Sequence, residues 1–339
     1  MIEDPPVRQV FDITAAWITD IPVIAVPCLL CGEREIVRLN TFLLNGRRFH
    51  TVRCANDGMM WLDPQPTAAF YDQLYAEHYH VAGEEDPLLE QATLDVHSDE
   101  VKLRETAALR LDEIERYAAP GRFLEVGFGS GHTLMEASAR GWAVLGVEVA
   151  QSCVDAALAR GIPAVLGRFP GVPHPVPGGG IRSFDVIAMY SVIEHVHDPA
   201  AYLRRAHELL KPGGLLVLRL PDTGAEGPPA SLIAHLYHFN QTTITELLRR
   251  HGFSVQQIGA FGLWKPKRYP GELWSMNVIA RSEGRSALVE GDHRGHLPAQ
   301  TRVEPVEPDR GVVRARHGEH GCHGEHGCHG EHGCHGARR

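Results

Sequence analysis

From Arg122 onward, short apolar runs and amphipathic stretches take turns along the chain. Runs bounded by glycine or proline predict strands at Arg122 to Val126, Ala143 to Glu148, Ala164 to Leu166, Phe184 to Tyr190 and Leu215 to Leu220. Patterns of helical period fill the gaps at Thr133 to Arg140, Gln151 to Arg160 and Pro199 to Leu210. Such alternation predicts a parallel sheet covered by helices on both faces. Lys211-Pro-Gly-Gly214 stops a helix and feeds directly into a strand. A helix at Thr242 to His251 is followed by strands at Phe253 to Ile258 and Leu273 to Ala280. The Gly259-to-Gly271 connection between them is short for a helical crossover, so these two strands are expected to pair antiparallel at the sheet end.

The pattern changes upstream. Ser98 precedes a helix expected to reach Ala119, apolar at Leu109, Leu111, Ile114 and Tyr117, and Pro120-Gly121 delivers the chain into the first strand. Thr67 is expected to cap a helix carrying Phe70, Leu74 and Tyr75, and residues 81–97 read as an acidic linker. Residues 1–20 read as a weakly ordered arm. Between them, Cys28-Leu-Leu-Cys31-Gly32 and Cys54-Ala-Asn-Asp57-Gly58 flank a hairpin signal at Asn45-Gly46. Two Cys-x-x-ligand-Gly turns around a hairpin make a zinc-ribbon pattern, with Asp57 where a fourth cysteine is expected. Cys28, Cys31, Cys54 and Asp57 are therefore candidate ligands of a structural zinc, less selective than four thiolates. The competing reading is a ribbon that keeps its shape without the metal.

Composition narrows the classes. The 339 residues carry 42 acids against 33 Lys and Arg, and a net charge of -9 argues against nucleic acid or an anionic membrane as partner. Acids and prolines at the start, in place of a basic stretch before an apolar run, give no secretory signal, and Ile21 to Cys31 is too short and too proline-broken to span a bilayer. The seven cysteines are spaced like metal ligands, so a reducing cytoplasm is expected. Beyond Arg281 apolar residues thin out and disorder is expected, ending in tandem Glu-His-Gly-Cys-His-Gly copies with Cys322, Cys328 and Cys334. Such a tract would bind zinc, nickel or copper, but it reads first as an expanded short repeat.

The chemistry centres on Phe123-Leu-Glu-Val-Gly-Phe-Gly-Ser-Gly-His-Thr-Leu134, a strand, a glycine turn and a helix start. Gly127, Gly129 and Gly131 let the backbone approach a ligand, and the helix amides face it with partial positive charge. A dinucleotide fingerprint wants glycine where His132 stands; here the third glycine comes one residue earlier. Glu148, about 20 residues on, ends the next strand where a carboxylate accepts ribose hydroxyls.

Leu124-Glu-Val-Gly-Phe-Gly-Ser-Gly131 resembles the first motif of class I S-adenosylmethionine-dependent methyltransferases. Asp185-Val-Ile-Ala-Met-Tyr-Ser-Val-Ile-Glu-His-Val-His-Asp-Pro199 resembles their fourth strand and following loop, and Leu210-Lys-Pro-Gly-Gly214 the turn into the fifth. The resemblance covers roughly Leu103 to Arg281, about half the chain. It implies a doubly wound, Rossmann-like α/β sheet of seven strands with an antiparallel last strand, and S-adenosylmethionine as cofactor. The domain plan is then an arm at 1–20, a zinc-ribbon-like subdomain at 21–66, a helical linker or lid at 67–118, the methyltransferase core at 119–283 and the tail at 284–339. Backbone at Gly127, Phe128, Gly129, Ser130 and Gly131 is implied to hold the methionine portion, with Glu125 bracing the turn. Glu148 is implied to hold the ribose, Val149 to lie beside the adenine, and Tyr190 and Ser191 to line the cleft. Gly167-Arg168 stands where many relatives place an acid against the adenine. The ribbon prefix also resembles that of bacterial small-molecule methyltransferases, some of which C-methylate nucleotide-linked deoxysugars. Those enzymes carry a further C-terminal domain where this chain has its repeat tail.

Methyl transfer from a sulfonium needs alignment and exclusion of water. An oxygen or carbon acceptor also needs a base. His195 beside Glu194, in the loop after the fourth strand, is the first candidate, with Glu194 in a supporting role; His238 or His235 in Ala234-His-Leu-Tyr-His-Phe239 is the second. The expected partner is a small-molecule methyl acceptor, with O-methylation marginally ahead of sugar C-methylation. Two other readings compete: a metal-storage protein with a vestigial core, and an NAD-linked oxidoreductase, which His132 and the lack of a second nucleotide-binding half disfavour.

Overall fold

The computed structural model describes residues 21–44, 47–73, 100–172, 183–224, 234–259 and 274–284. The expected arm, the Asn45-Gly46 turn, the acidic linker and the repeat tail lie outside the described residues.

In chain order the N-terminal part contributes β1 (Val23–Ile24), β2 (Ile36–Leu44), β3 (Arg47–Cys54), β4 (Met60–Asp63), β5 (Gln65–Pro66) and α1 (Ala68–Gln73). The core follows with α2 (Glu100–Ile114), β6 (Arg122–Val126), α3 (His132–Ala139), β7 (Ala143–Glu148), α4 (Gln151–Ala159) and β8 (Ala164–Leu166). It continues through β9 (Phe184–Tyr190), α5 (Pro199–Leu209), β10 (Leu210–Asp222), β11 (Tyr237–His238), α6 (Gln241–Arg250), β12 (Phe253–Gly259) and β13 (Trp274–Ser282). No helix among the described residues is long and apolar enough to cross a membrane.

Seven strands form the central sheet in the order β12-β13-β10-β9-β6-β7-β8. β8, β7, β6, β9 and β10 run parallel, and β13 is antiparallel to both β10 and β12. The antiparallel pair is thus at the sheet end as expected, with β13 inserted inside it and β12 at the edge. Strand β9, covered on both faces, is almost wholly buried, which is why its apolar residues run on without alternation. Between Leu210 and Leu215 the pairing to β9 slips, so the Lys211-Pro-Gly-Gly turn bulges out of the ladder.

Helix ends differ from expectation where side chains decide. Thr67 Oγ1 is buried without a hydrogen-bond partner; its carbonyl, not its hydroxyl, accepts from the amides of Phe70 and Tyr71 at the start of α1. α2 stops at Ile114, five residues before Ala119, and turns follow to Tyr117. α6 begins one residue before Thr242 because Asn240 and Thr243 exchange side-chain-to-backbone bonds in a capping box.

The N-terminal segment is not a separate body. β2, β3 and β4 form an antiparallel sheet whose fourth strand is β11, supplied by the segment after β10, in the order β11-β4-β3-β2. Tyr237 pairs with Trp61 and His238 with Met60. The Leu236 carbonyl accepts from the Leu62 amide at 3.0 Å and from Gln65 Nε2 at 3.1 Å. One continuous apolar cluster joins Phe49 and Trp61 of this sheet to Leu124, Ile187 and Leu216 of the central one.

Candidate active site and metal centre

At the C-terminal end of β6 the chain reverses through Gly127, Gly129 and Gly131, with φ of 69°, 51° and 75°. These left-handed angles suit glycine and strain other residues. A Cβ on Gly127 would also stand 2.7 Å from Val192 Cγ2, whereas one on Gly129 would meet nothing within 4 Å. The turn is therefore packed on its inner side and open on its outer side. The Phe128 ring points inward over β7, where a Cβ on Gly146 would lie 2.4 Å from it, so Phe128 presents backbone to the open side.

Glu148, buried at the end of β7, clamps this turn. Its Oε2 accepts from the Gly129 amide at 3.0 Å, and its Oε1 from the amides of Val149 at 2.7 Å and Ala150 at 3.2 Å. A carboxylate oxygen has two lone pairs, so acceptor capacity remains for a ligand's hydroxyls. Val149 beside it exposes apolar surface. Ser130 Oγ and His132 Nδ1 are 2.8 Å apart, and His132 Nε2 lies 2.9 Å from Glu100 Oε2, tying the turn to the start of α2.

Glu125 lies under the turn, 3% exposed. Burial pushes its carboxyl up to about 8, against the opposing pull of Arg110 and Thr133. Arg110 from α2 donates to Thr133 Oγ1 at 2.7 Å and sits 3.8 Å over the Tyr190 ring. This α2 contribution was not legible in sequence, because Arg110 lies in no motif and is surrounded by a helical pattern.

The other half of the site begins where β9 ends. Ser191 is the sole non-glycine residue with positive φ among the described residues, at 56°, and its amide donates to the Arg219 carbonyl at 2.7 Å. Such strain is held by surrounding structure and clusters at functional sites. Three residues on, Glu194 is 2% exposed and its Oε2 has no hydrogen-bond partner. Burial pushes its carboxyl up to about 8, with its own backbone amide and Arg219 pulling the other way. His195 Nδ1 lies 2.7 Å from the Ala234 carbonyl and its Nε2 3.7 Å from Glu194 Oε1. The His195 and His235 rings meet edge to face at 4.7 Å. Burial, then the neighbouring His195 and His238, hold His235 well below the ordinary imidazole range.

His238 stands farther back on β11, 2% exposed, with neither ring nitrogen hydrogen-bonded, and burial lowers it to about 4. It is therefore a neutral packed group rather than a residue on the cleft surface. His195 and His235 are brought together although 40 positions apart, because the Glu194 carbonyl accepts from the Leu236 and Tyr237 amides at 2.9 and 3.2 Å.

The ribbon ligands also converge. Cys28, Cys31, Cys54 and Asp57 place their donor atoms within 4.8 Å of one another. Both turns are knuckles, with the Gly32 amide donating to the Cys28 carbonyl at 2.9 Å and the Gly58 amide to the Cys54 carbonyl at 3.2 Å. Cys28 Sγ is 3.2 Å from Asp57 Oδ2, and Cys31 Sγ 3.5 Å from Cys54 Sγ. Burial, then the Asp57 carboxylate, pushes the Cys28 thiol up. Burial pushes Asp57 up too, but the Met59 amide and the thiols outweigh it and leave its carboxyl lowered. Four acidic donors crowded into one pocket fit a tetrahedral dication, which would favour the anionic form of all of them.

At the expected adenine position, the Gly167 amide donates to the Glu148 carbonyl at 2.8 Å, and Arg168 turns away to pair with Asp72 of α1.

Residues 101–258 match a family model described as a methyltransferase domain. A ubiquinone biosynthesis O-methyltransferase of Caulobacter vibrioides is 34% identical over 120 residues, covering 34% of this chain and 47% of that protein. Its namesake from Pseudomonas aeruginosa is 32% identical over 149 residues, covering 41% of this chain and 61% of the relative. The chain thus spans about half to three-fifths of the length of these relatives. A solved 1,6-didemethyltoxoflavin-N1-methyltransferase of Burkholderia thailandensis, with bound 1,6-didemethyltoxoflavin and S-adenosylhomocysteine, aligns with a TM-score of 0.50. At 21% identity over 68% of this chain and 97% of that one, this likeness shows the shared fold.

Proposed function

We propose that this chain, whose core belongs to the class I S-adenosylmethionine-dependent methyltransferases, methylates a small molecule, at oxygen in preference to carbon. The observation that carries the reading is the clamp of Glu148 on the Gly129 amide at the edge of a glycine turn open on its outer side. Gly127, Phe128, Gly129, Ser130 and Gly131 would offer backbone to the methionine portion, Glu148 would accept the ribose hydroxyls, and Val149 would flank the adenine. S-adenosylmethionine, held there, supplies an electrophilic methyl group on sulfur.

The chain's own residues do the rest. Glu125, with Arg110 and Thr133, braces the turn from below. Tyr190 and Ser191 form the wall between donor and acceptor. His195 is the base in this reading: a carbonyl can only accept, so Nδ1 carries the hydrogen and Nε2 the lone pair that takes a proton from an acceptor hydroxyl. Glu194 lies beside that nitrogen, its Oε1 3.7 Å away. The oxygen preference draws support from the two relatives' names. The ribbon cysteines and Asp57 would hold a structural zinc that fixes the sheet carrying β11.

The test is direct. Purified protein should bind S-adenosylhomocysteine, and Glu148→Ala should weaken this about 100-fold, or about 2.7 kcal/mol for lost charge-assisted hydrogen bonds. Incubation with cell extract and deuterated-methyl cofactor should yield a labelled small molecule in the mass spectrum. Unchanged binding in the variant sinks the donor site; absence of any labelled product sinks the activity.

A further inference from the structure

We propose that Arg219, Tyr190 and Glu194 form a carboxylate-binding subsite beside His195, so that the acceptor methylated at a hydroxyl also carries a carboxylate. The acceptor class rests on the methyl-transfer reading above; the subsite itself stands on the contacts of these three residues.

Arg219 lies near the C-terminal end of β10, in register with Tyr190, the last residue of β9, on one side and with Asn277 of β13 on the other. Residues in register point to the same face of a sheet, here the face from which α2 lays Arg110 over the Tyr190 ring. Arg219 is 6% exposed, and its Nη2 reaches Ser275 Oγ at 3.4 Å. Ser275 pairs with Pro221, two positions farther along β10. The charged end thus leans past its own rung toward the sheet edge where parallel α/β folds bind ligands.

Two neighbours of this cation hold buried polar atoms with no hydrogen-bond partner among the described residues, the Tyr190 hydroxyl and Glu194 Oε2. The two side chains are 9% and 2% exposed, so each idle atom is costly unless a ligand engages it. Burial raises both groups, and Arg219 acts electrostatically on both in the opposite direction. Burial still wins at Glu194, whose carboxyl stands up to about 8 and is protonated at neutral pH. Tyr190 and Glu194 therefore both offer hydrogens to a ligand.

One cation and two neutral donors fit one planar monoanion. A carboxylate has about four lone-pair sites on two oxygens, and its shape matches the guanidinium fork. A phosphate dianion would call for a second cation, and Arg110 is engaged with Thr133 and the Tyr190 ring. Glu194 Oε1 lies 3.7 Å from His195 Nε2. A carboxylate held at Oε2 thus leaves a hydroxyl of the same molecule within reach of the base.

Full-length protein, with and without S-adenosylhomocysteine, is titrated calorimetrically with benzoate and with benzamide, flat probes of similar shape that differ in charge. Wild type should bind benzoate about tenfold more tightly, the margin between a charge-assisted and a neutral hydrogen bond. Arg219→Met keeps the bulk, removes the charge and should erase that preference with S-adenosylhomocysteine affinity intact. If this variant unfolds, Tyr190→Phe decides: it should weaken benzoate about tenfold, and unchanged benzoate affinity there overturns the subsite. Equal affinity for the two probes in wild type overturns it too, as does a full preference in folded Arg219→Met. The labelled product formed from cell extract should be retained on an anion exchanger at neutral pH, and a neutral product overturns the acceptor class. A benzoate preference without any S-adenosylhomocysteine binding leaves the subsite standing and removes the methyl-transfer reading instead.

Discussion

In the proposed reading, the donor and acceptor sides of the site are built in opposite ways. The donor side is one β-turn-α unit, β6 to α3, closed by Glu148 from the adjacent strand. Its working groups are mostly backbone amides and the space left where side chains are missing. The acceptor side is made of side chains from two segments far apart in sequence, Glu194-His195 and His235, joined through the carbonyls of Glu194 and Ala234. A backbone site is fixed as soon as its strand and helix form. A side-chain site depends on how a distant segment is docked, and here that segment is held by the N-terminal sheet.

The largest effect that separates the two sides is expected at His195. Replacement by alanine should lower kcat by about 10²- to 10⁴-fold. S-adenosylhomocysteine affinity should hold, because the hydrogen bonds by which Glu148 clamps the glycine turn do not pass through His195. Stopped-time assays with labelled cofactor, paired with calorimetric binding, measure both. A parallel loss of cofactor affinity would show that the two sides are not separable.

A second test belongs to the donor side. Glu125 is buried, and its carboxyl is raised from 4.5 to about 8. The folded state therefore holds a proton that the unfolded chain has released across that window. The stability this contributes is fully present below pH 4.5 and is lost as pH rises through about 8. The slope approaches about 1.4 kcal/mol per pH unit for one group. Denaturant midpoints measured from pH 5 to 8 should fall with pH in wild type and fall less in Glu125→Gln. Identical slopes would mean that Arg110 keeps the carboxylate ionised.

The same contrast explains what could be read from the chain alone. The alternation of strands and helices, the glycine turn and Glu148 were legible, since each depends on periodicity or spacing within some 25 residues. The ribbon knuckles were legible for the same reason. Three things were not. The insertion of β13 between β10 and β12 is a choice of pairing partner, which alternation does not encode. Arg110 reaches Thr133 and Tyr190 from a helix whose pattern gives no sign of a charged inward residue. The addition of β11 to the ribbon sheet joins only two residues to β4, too few to leave a strand signature. That last pairing sets the two histidines apart: His238 is carried into the ladder and buried, and His235, just outside it, meets His195.

The smallest expected effect tests that docking. Gln65 is fully buried, and its Nε2 is one of two donors to the Leu236 carbonyl, the Leu62 amide being the other. Gln65→Leu keeps the volume and removes this bond, the side-chain interaction with Tyr237 and the unpartnered Oε1. The carbonyl retains one donor, so stability should change by only about 1 kcal/mol. If the N-terminal sheet positions the acceptor side, kcat should nevertheless drop several-fold while S-adenosylhomocysteine affinity holds. Equal loss on both measures would instead make Gln65 a general packing residue, and an unchanged kcat would mean that the Leu62 amide alone is enough to hold His235 against His195.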